Sequence, residues 1–308
     1  MLRLNGASMI QRARSLTAAM LASILLIPIA GCSDITGEQT DGPSANPLLY
    51  EIASADGAVE GWMVGTIHAL PTGTQWRTPT IAMIIDEADV LLVEVAALND
   101  RAAMAGIFAE LSRTPGQPAI ERRVPENLAP ALEDLLDRAE LGSGDFSSLE
   151  TWAAALMLAQ VSAVGDPANG IDRALIREFD GRTLRELEGA QRQLSIFDRL
   201  PEAQQRKLLA AVVTEADGSK AQAAKLQRAW LTGDIAVLEQ ATRTGILADP
   251  DLRQALLINR NRDWVATIVP MLEHEPRPLI AVGAAHLVGA EGLATMLETR
   301  GYRVRRLP

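Results

Sequence analysis

Two histidines follow the same short pattern at opposite ends of the chain. The first copy reads MVGTIHALP over residues 63–71 and contains His68. The second reads AVGAAHLVG over residues 281–289 and contains His286. In each copy an apolar run leads to a glycine, two further residues and the histidine. The chain has only 3 histidines in 308 residues, so the repeated pattern points to imidazole chemistry rather than to chance.

Two acidic residues stand at the ends of further predicted strands. Glu94 follows the apolar run VLLV. Glu188 follows a segment in which apolar and polar residues alternate, as in a half-buried strand. Because α/β folds bind ligands at the carboxyl ends of their strands, we expect these side chains to meet the histidines at one sheet edge. Two histidines and a carboxylate suit a divalent transition metal with open positions. The pattern therefore predicts that His68, Glu94 and His286 bind Mn, Co or Zn, and that the remaining acid is a general base.

The simpler alternative is structural. A single histidine after a strand is often only a hydrogen-bonded residue, and a glutamate at a strand tip is often only solvated. A Ser-His-Asp triad has no support, since no Gly-x-Ser-x-Gly elbow occurs. The chain also contains no P-loop and no dinucleotide-binding fingerprint.

The first 31 residues read as a signal peptide. Three arginines precede an apolar core over residues 16–29, which is shorter than the ~20 residues of a membrane span. The core ends in IAGC, which resembles a bacterial lipobox, so we expect lipid on Cys32. Cys32 is the only cysteine, which excludes an internal disulfide. An ordinary secretory peptide with an incidental cysteine is the alternative.

Residues 32–46 are polar and read as a flexible tether between the lipid and a domain over residues 47–308. Ser33 favours sorting to the outer membrane, facing the periplasm, if the host is Gram-negative. Removal of residues 1–31 takes away three arginines and no acids, so the net charge changes from -10 to -13. Such an acidic chain lacks the basic surface that nucleic acids require.

The apolar patterns predict an α/β (α+β) fold with a central, mostly parallel sheet. The sheet comes from N- and C-terminal βαβ segments, and residues 99–270, largely helical, form a cap. An Asp-Gly turn at residues 56–57 predicts that the first two strands form a hairpin. The predicted strands are residues 48–54, 59–65, 90–93, 182–187, 279–282 and 302–306. The predicted helices include residues 79–88, 101–112, 125–140, 148–164, 191–214 and 251–272.

Several longer phrases resemble the TraB/PrgY/GumN family, whose broader relatives include the Tiki metalloproteases and, more distantly, erythromycin-esterase-like and ChaN-like proteins. They occur in the family's order and extend over nearly the whole predicted domain. They are MVGTIHALP (63–71), ADVLLVEV (88–95), GIDRAL (170–175), LRELEGAQ (184–191), LINRNRDW (257–264), AVGAAHLVG (281–289) and GYRVRRL (301–307).

The resemblance implies metal-dependent peptidase activity, as in Tiki-like members, on a peptide or small-molecule substrate. It adds Asp172, Arg260 and Asn261 as site positions beside the histidines and glutamates. Arg260 could orient a substrate carboxylate or hold a catalytic acid. The alternative is a structural ion pair with Glu94 or Glu188. Two other functions stay open. One is a non-catalytic envelope protein that binds or sequesters a factor. The other is metal-free hydrolysis with the histidines as acid and base. The sequence leaves the oligomeric state undetermined.

Overall fold

The computed structural model describes residues 45–216, 218–274 and 276–308. The predicted signal peptide, Cys32 and most of the predicted tether lie outside these residues. The described chain forms one sheet with the strand order β4-β3-β5-β2-β1-β6. Its strands are β1 (Leu49–Ala53), β2 (Val59–Thr66), β3 (Val90–Val93), β4 (Thr183–Glu186), β5 (Pro278–Gly283) and β6 (Arg303–Arg306). All six coincide with the predicted strands.

The four strands from β4 to β2 are parallel, and β1 joins the sheet antiparallel to β2 and β6. The β1–β2 hairpin turns at Gly57, whose φ of 96° favours glycine. β3 and β5 are buried along their whole length, which explains their continuous apolar sequences. Since β3, β5 and β2 are neighbours, their carboxyl ends lie side by side. The predicted mostly parallel sheet is confirmed.

Helices connect the strands and form the middle of the chain. They are α1 (Pro79–Glu87), α2 (Arg101–Leu111), α3 (Ala129–Arg138), α4 (Thr151–Val161), α5 (Ile171–Glu178), α6 (Gly189–Asp198), α7 (Glu202–Glu215), α8 (Ser219–Thr232), α9 (Ile235–Ala241), α10 (Pro250–Arg253), α11 (Asn259–His274) and α12 (Leu293–Glu298). In the parts of the chain described, no helix is both long and apolar enough to cross a membrane.

Three predicted helices differ in detail from the observed ones. The helix predicted over residues 191–214 is two helices, α6 and α7, because Pro201 interrupts it. The helix predicted over residues 125–140 begins only at Ala129, after a 3₁₀ turn. The reason is Pro130, which suits the first turn of a helix and would interrupt its interior. The helix predicted over residues 251–272 is interrupted by a π-helical turn, Gln254–Ile258. This turn directly precedes α11, and it lies at the site described below.

The apolar side chains form two cores. The first surrounds the sheet and includes α1, α5, α11 and α12. The second holds α2, α3, α4, α6 and α7 together. It also contains Val95 and Ala285, which lie just beyond β3 and β5. The helical layer therefore packs against the carboxyl edge of the sheet, as the predicted cap requires.

Candidate functional site at the carboxyl edge of the sheet

The predicted site residues gather where the parallel strands end. His68 follows β2, Glu94 follows β3 and Glu188 follows β4. His286 ends a short 3₁₀ turn, Ala284–His286, after β5. Most of this edge is closed to solvent, since Glu94 is 5% exposed and His286 is 0% exposed. The side chain of His68 keeps 12% exposure at its margin.

The glycines of the two repeated motifs have different roles. A Cβ on Gly65 would meet the Cα of Ala284 at 3.1 Å, so this glycine lets the second motif cross close to the first. The backbone N–H of Gly283 donates a hydrogen bond to Oε1 of Glu94 at 2.8 Å. A Cβ on Gly283 would lie 3.4 Å from the same oxygen. The first glycine thus brings the strands together, and the second holds a carboxylate.

Arg260, in the first turn of α11, is the centre of the buried part of the site. Its Nη2 lies 2.6 Å from Oε2 of Glu94, and its Nε lies 3.0 Å from Oε1 of Glu188. Nη2 also donates to Glu188. Nη1 donates to the carbonyl of Leu256, in the π-helical turn, and to Nε2 of His286, each at 3.2 Å. All five guanidinium N–H groups therefore have acceptors. Arg260 therefore forms an ion pair with both Glu94 and Glu188.

His286 is held as a neutral imidazole of one tautomer. The amide nitrogen of Asn261 donates to the carbonyls of His286 and Glu291, at 3.3 and 2.7 Å, which fixes the orientation of the amide. The amide oxygen then faces Nδ1 of His286 at 2.5 Å, so Nδ1 carries the proton and Nε2 accepts from Arg260. Burial first, and then the charge of Arg260, hold the pKa of His286 well below its usual value. The ring also packs on Trp264, with 4.4 Å between ring centroids.

His68 has a different environment. Its Nδ1 lies 2.7 Å from Oδ2 of Asp172, and Nε2 makes no hydrogen bond with any residue that the structure describes. Burial lowers the pKa of His68, but the facing carboxylate outweighs this effect and the pKa is raised. Burial likewise opposes ionisation of Asp172, yet the charge of His68 lowers the pKa of that carboxyl. The pair is therefore an imidazole oriented by a buried carboxylate.

The start of α5 places Asp172 beside the first motif. The backbone N–H of Ile171 donates to the carbonyl of Ile67 at 2.9 Å, so the helix begins directly on the end of β2. Gly170 permits this approach, because a Cβ there would lie 2.3 Å from the carbonyl oxygen of His68. Asp172 is the second residue of the helix and is 4% exposed.

Three residues of the site were not assigned a role from the sequence. Thr66 donates to Oδ1 of Asp172 at 2.5 Å. Gln193, on α6, donates to both Glu94 and Glu188, at 3.1 Å each. Trp264 lies under Arg260 as well as His286, with the guanidinium carbon 4.7 Å from the ring centroid. A signal existed for Gln193, since a glutamine on the apolar face of a helix needs a buried hydrogen-bond partner.

The predicted metal ligands do not form a ligand set in this arrangement. Oε2 of Glu94 and Nε2 of His286 both accept hydrogen bonds from Arg260, so their lone pairs are directed at a guanidinium. A divalent ion between them would lie against this buried positive charge. Among the residues described, no three His, Cys, Asp or Glu side chains are placed to hold a metal ion. Metal dependence therefore stays a prediction.

Comparison with known proteins gives one result. The sequence model of the TraB/PrgY/gumN family matches residues 48–306, which is most of the chain and almost all of the described fold. No curated protein and no solved structure gave a significant match. The matched region contains every strand of the sheet and both histidine motifs. The chain belongs to the TraB/PrgY/gumN family.

Proposed function

We propose that this protein is a hydrolase in which His68 activates water to attack an amide or ester carbonyl. The observation that carries the proposal is the geometry of the His68–Asp172 pair. Asp172 holds Nδ1 at 2.7 Å, while Nε2 is left without a hydrogen bond to any described residue, and the imidazole keeps 12% exposure. An oriented imidazole with an accessible lone pair is the usual general base of hydrolases.

The reaction follows from these contacts. Neutral His68 has its proton on Nδ1, where Asp172 accepts it, so the lone pair of Nε2 is available to a water molecule. As the water oxygen bonds to the carbonyl carbon, Nε2 takes the water proton. The buried carboxylate of Asp172 stabilises the imidazolium that forms. The proton then passes from Nε2 to the leaving group, and the amide or ester bond breaks.

The test is product formation in H₂¹⁸O. Purified protein is incubated with a peptide mixture and a panel of acyl esters, and ¹⁸O in the products is measured by mass spectrometry. We expect His68→Ala to lose ~10²–10⁴-fold in rate, the usual contribution of a general base. His274→Ala is the matched control, because this third histidine is exposed at the end of α11. Undiminished turnover by His68→Ala would overturn the proposal.

Two other outcomes would each favour a different function. Loss of activity on chelation, with recovery on addition of Mn²⁺ or Co²⁺, would support the metal-dependent peptidase predicted from the sequence. It would also require Arg260 to move from between Glu94 and His286. Binding of an intact peptide without any cleavage product would support the sequestering alternative.

We also propose that Cys32 carries lipid and anchors the protein in the cell envelope, facing the periplasm. The support is the IAGC sequence at the end of a signal-peptide-like apolar core. Mass spectrometry of the mature N-terminus should show a lipid-modified cysteine. Cys32→Ala should remain an unprocessed precursor, and a mature N-terminus at any other residue would overturn this proposal.

A further inference from the structure

A cavity of about 400 Å³ lies in the helical layer, between the end of α7, the start of α8 and the 3₁₀ turn Gly245–Ala248. This volume is within the range of about 300–1,000 Å³ that is typical of small-molecule sites. Most of its walls are glycines or small, uncharged side chains: Ala211, Thr214, Gly218, Thr244 and Gly245. Glu215 and Gln222 complete the lining that the structure describes, so Glu215 is the one charged residue among these. None of them belongs to the candidate site at the sheet edge.

The carboxyl group of Glu215 has no positive charge beside it in the described chain. Its Oε1 is closed to solvent and has no hydrogen-bond partner. The lysine of the same helix, Lys207, lies two turns earlier and pairs with Asp249. Burial raises the pKa of Glu215 to about 7, against a smaller opposing effect of the backbone N–H of Ile246, and no charged side chain that the structure describes contributes to the shift. A carboxylate that loses hydration without gaining a cation is costly in free energy.

The cavity opens this carboxyl group to a ligand. Because Oε1 is closed to solvent, a ligand in the cavity would meet Oε2, which accepts no hydrogen bond from a described side chain. An ammonium group is the complement of such an oxygen, since its N–H groups form charge-assisted hydrogen bonds with a carboxylate. An anion would be repelled by Glu215, and a neutral alcohol would leave the carboxylate without a cation. The methyl groups of Ala211, Thr214 and Thr244 suit a short carbon chain.

We propose that this cavity binds a small primary amine, with its ammonium group on the carboxylate of Glu215 and its carbon chain against the neighbouring methyl groups. The bound amine supplies the cation that Glu215 lacks within the described chain. The inference does not rest on the proposed hydrolase, because His68 and Asp172 take no part in lining the cavity. The protein would thus have a second binding site whose residues are separate from those of the general base.

The test is an NMR titration with three probes of equal chain length: butylamine, butanol and butyrate. Each is added to the purified protein while the backbone amide resonances of Thr244 and Gly245 are followed. At pH 8, where most of Glu215 is ionised, we expect saturable shifts with butylamine and at least tenfold weaker binding of butanol and butyrate. At pH 5 the amine keeps its charge but Glu215 is mostly protonated, so butylamine should bind at least tenfold more weakly than at pH 8.

Variants separate the carboxylate from the cavity and from the fold. Glu215→Gln should bind butylamine at least tenfold more weakly and lose the dependence on pH. Ala211→Leu fills part of the cavity and keeps the carboxylate, so it should also weaken binding. Glu202→Gln is the matched control, since this acid begins the same helix and already accepts a hydrogen bond from Arg206. No saturable shift in wild type, equal binding by a folded Glu215→Gln protein, or equally tight binding of butanol would refute the inference. His68→Ala should bind butylamine like wild type, whether or not the hydrolase proposal holds.

Discussion

The substitution Arg260→Met tests the buried charge network most directly. It removes the guanidinium and leaves a shorter, unbranched apolar side chain in its place. Oε2 of Glu94 and both oxygens of Glu188 would then face each other, with Gln193 as their one remaining donor among the residues that the structure describes. Removing one partner of a buried ion pair typically costs about 3–5 kcal/mol. With a urea m-value of about 3 kcal/mol/M, the unfolding midpoint should fall by about 1–2 M.

The loss of stability in Arg260→Met should depend on pH, and the buried carboxylates decide whether it is larger at high or at low pH. Burial first, and then the charge of Glu94, raise the pKa of Glu188 against the opposing effect of Arg260. Without Arg260 that pKa must rise further. An acid whose folded pKa is raised contributes stability below its unfolded pKa, and this stability is lost as the pH rises through the folded pKa. Each proton retained on folding corresponds to ~1.4 kcal/mol per pH unit. The free energy of unfolding lost in Arg260→Met should therefore be larger at pH 8 than at pH 5.

A matched control exists on the same two helices. Arg192 of α6 and Asp263 of α11 form an ion pair whose side chains are 58% and 59% exposed. Because solvent screens such a pair, Arg192→Met should cost no more than ~1 kcal/mol and should show no comparable trend with pH. The double substitution Arg260→Met, Glu188→Gln should recover part of the loss by removing one buried charge. If Arg260→Met behaved like the control, or lost equal stability at pH 5 and pH 8, the reasoning would be wrong.

Two further predictions concern the first motif. An NMR titration should give His68 a raised pKa in wild type and a lower pKa in Asp172→Asn, whereas the pKa of His286 should lie well below its usual value. A lower pKa for His68 than for His286 would contradict the proposed base. Gly170→Ala should destabilise the fold by about 1–3 kcal/mol, because its Cβ would lie 2.3 Å from a backbone oxygen. Gly144→Ala, with nothing within 4 Å, is the control, and chemical denaturation measures both.

The sheet could be predicted from the sequence because its signals are local. The run VLLV is typical of a strand buried on both faces, and Asp56-Gly57 favours a tight turn between two strand-like segments. The carboxyl ends of these strands then had to carry Glu94 and the two motif histidines. The start of α3 was predicted at Pro125 and lies at Ala129. Both Pro125 and Pro130 suit the first turn of a helix, so the sequence did not decide between them.

Most contacts within the site could not be predicted, because they join distant parts of the chain. The ion pair of Arg260 with Glu94 or Glu188 was one predicted alternative, but the pairing of His68 with Asp172, 104 positions apart, was not predicted. The π-helical turn before α11 also changes the rotation of that helix by one residue. A regular helix through residues 251–272 would therefore direct Arg260 elsewhere. Sequence spacing alone does not encode such an insertion.

The repeated motif suggested two equal ligands, but the two imidazoles differ in the charges that surround them. His68 meets the carboxylate of Asp172, which raises its pKa, and His286 meets the guanidinium of Arg260, which together with burial lowers its pKa. Pairs of titratable groups driven in opposite directions are typical of acid–base sites, since one group exchanges protons and the other stays fixed. His286 is then a neutral acceptor that helps hold Arg260 in place. Exchanging these environments would require exchanging Asp172 and Arg260, so in the proposed mechanism only His68 acts as a general base.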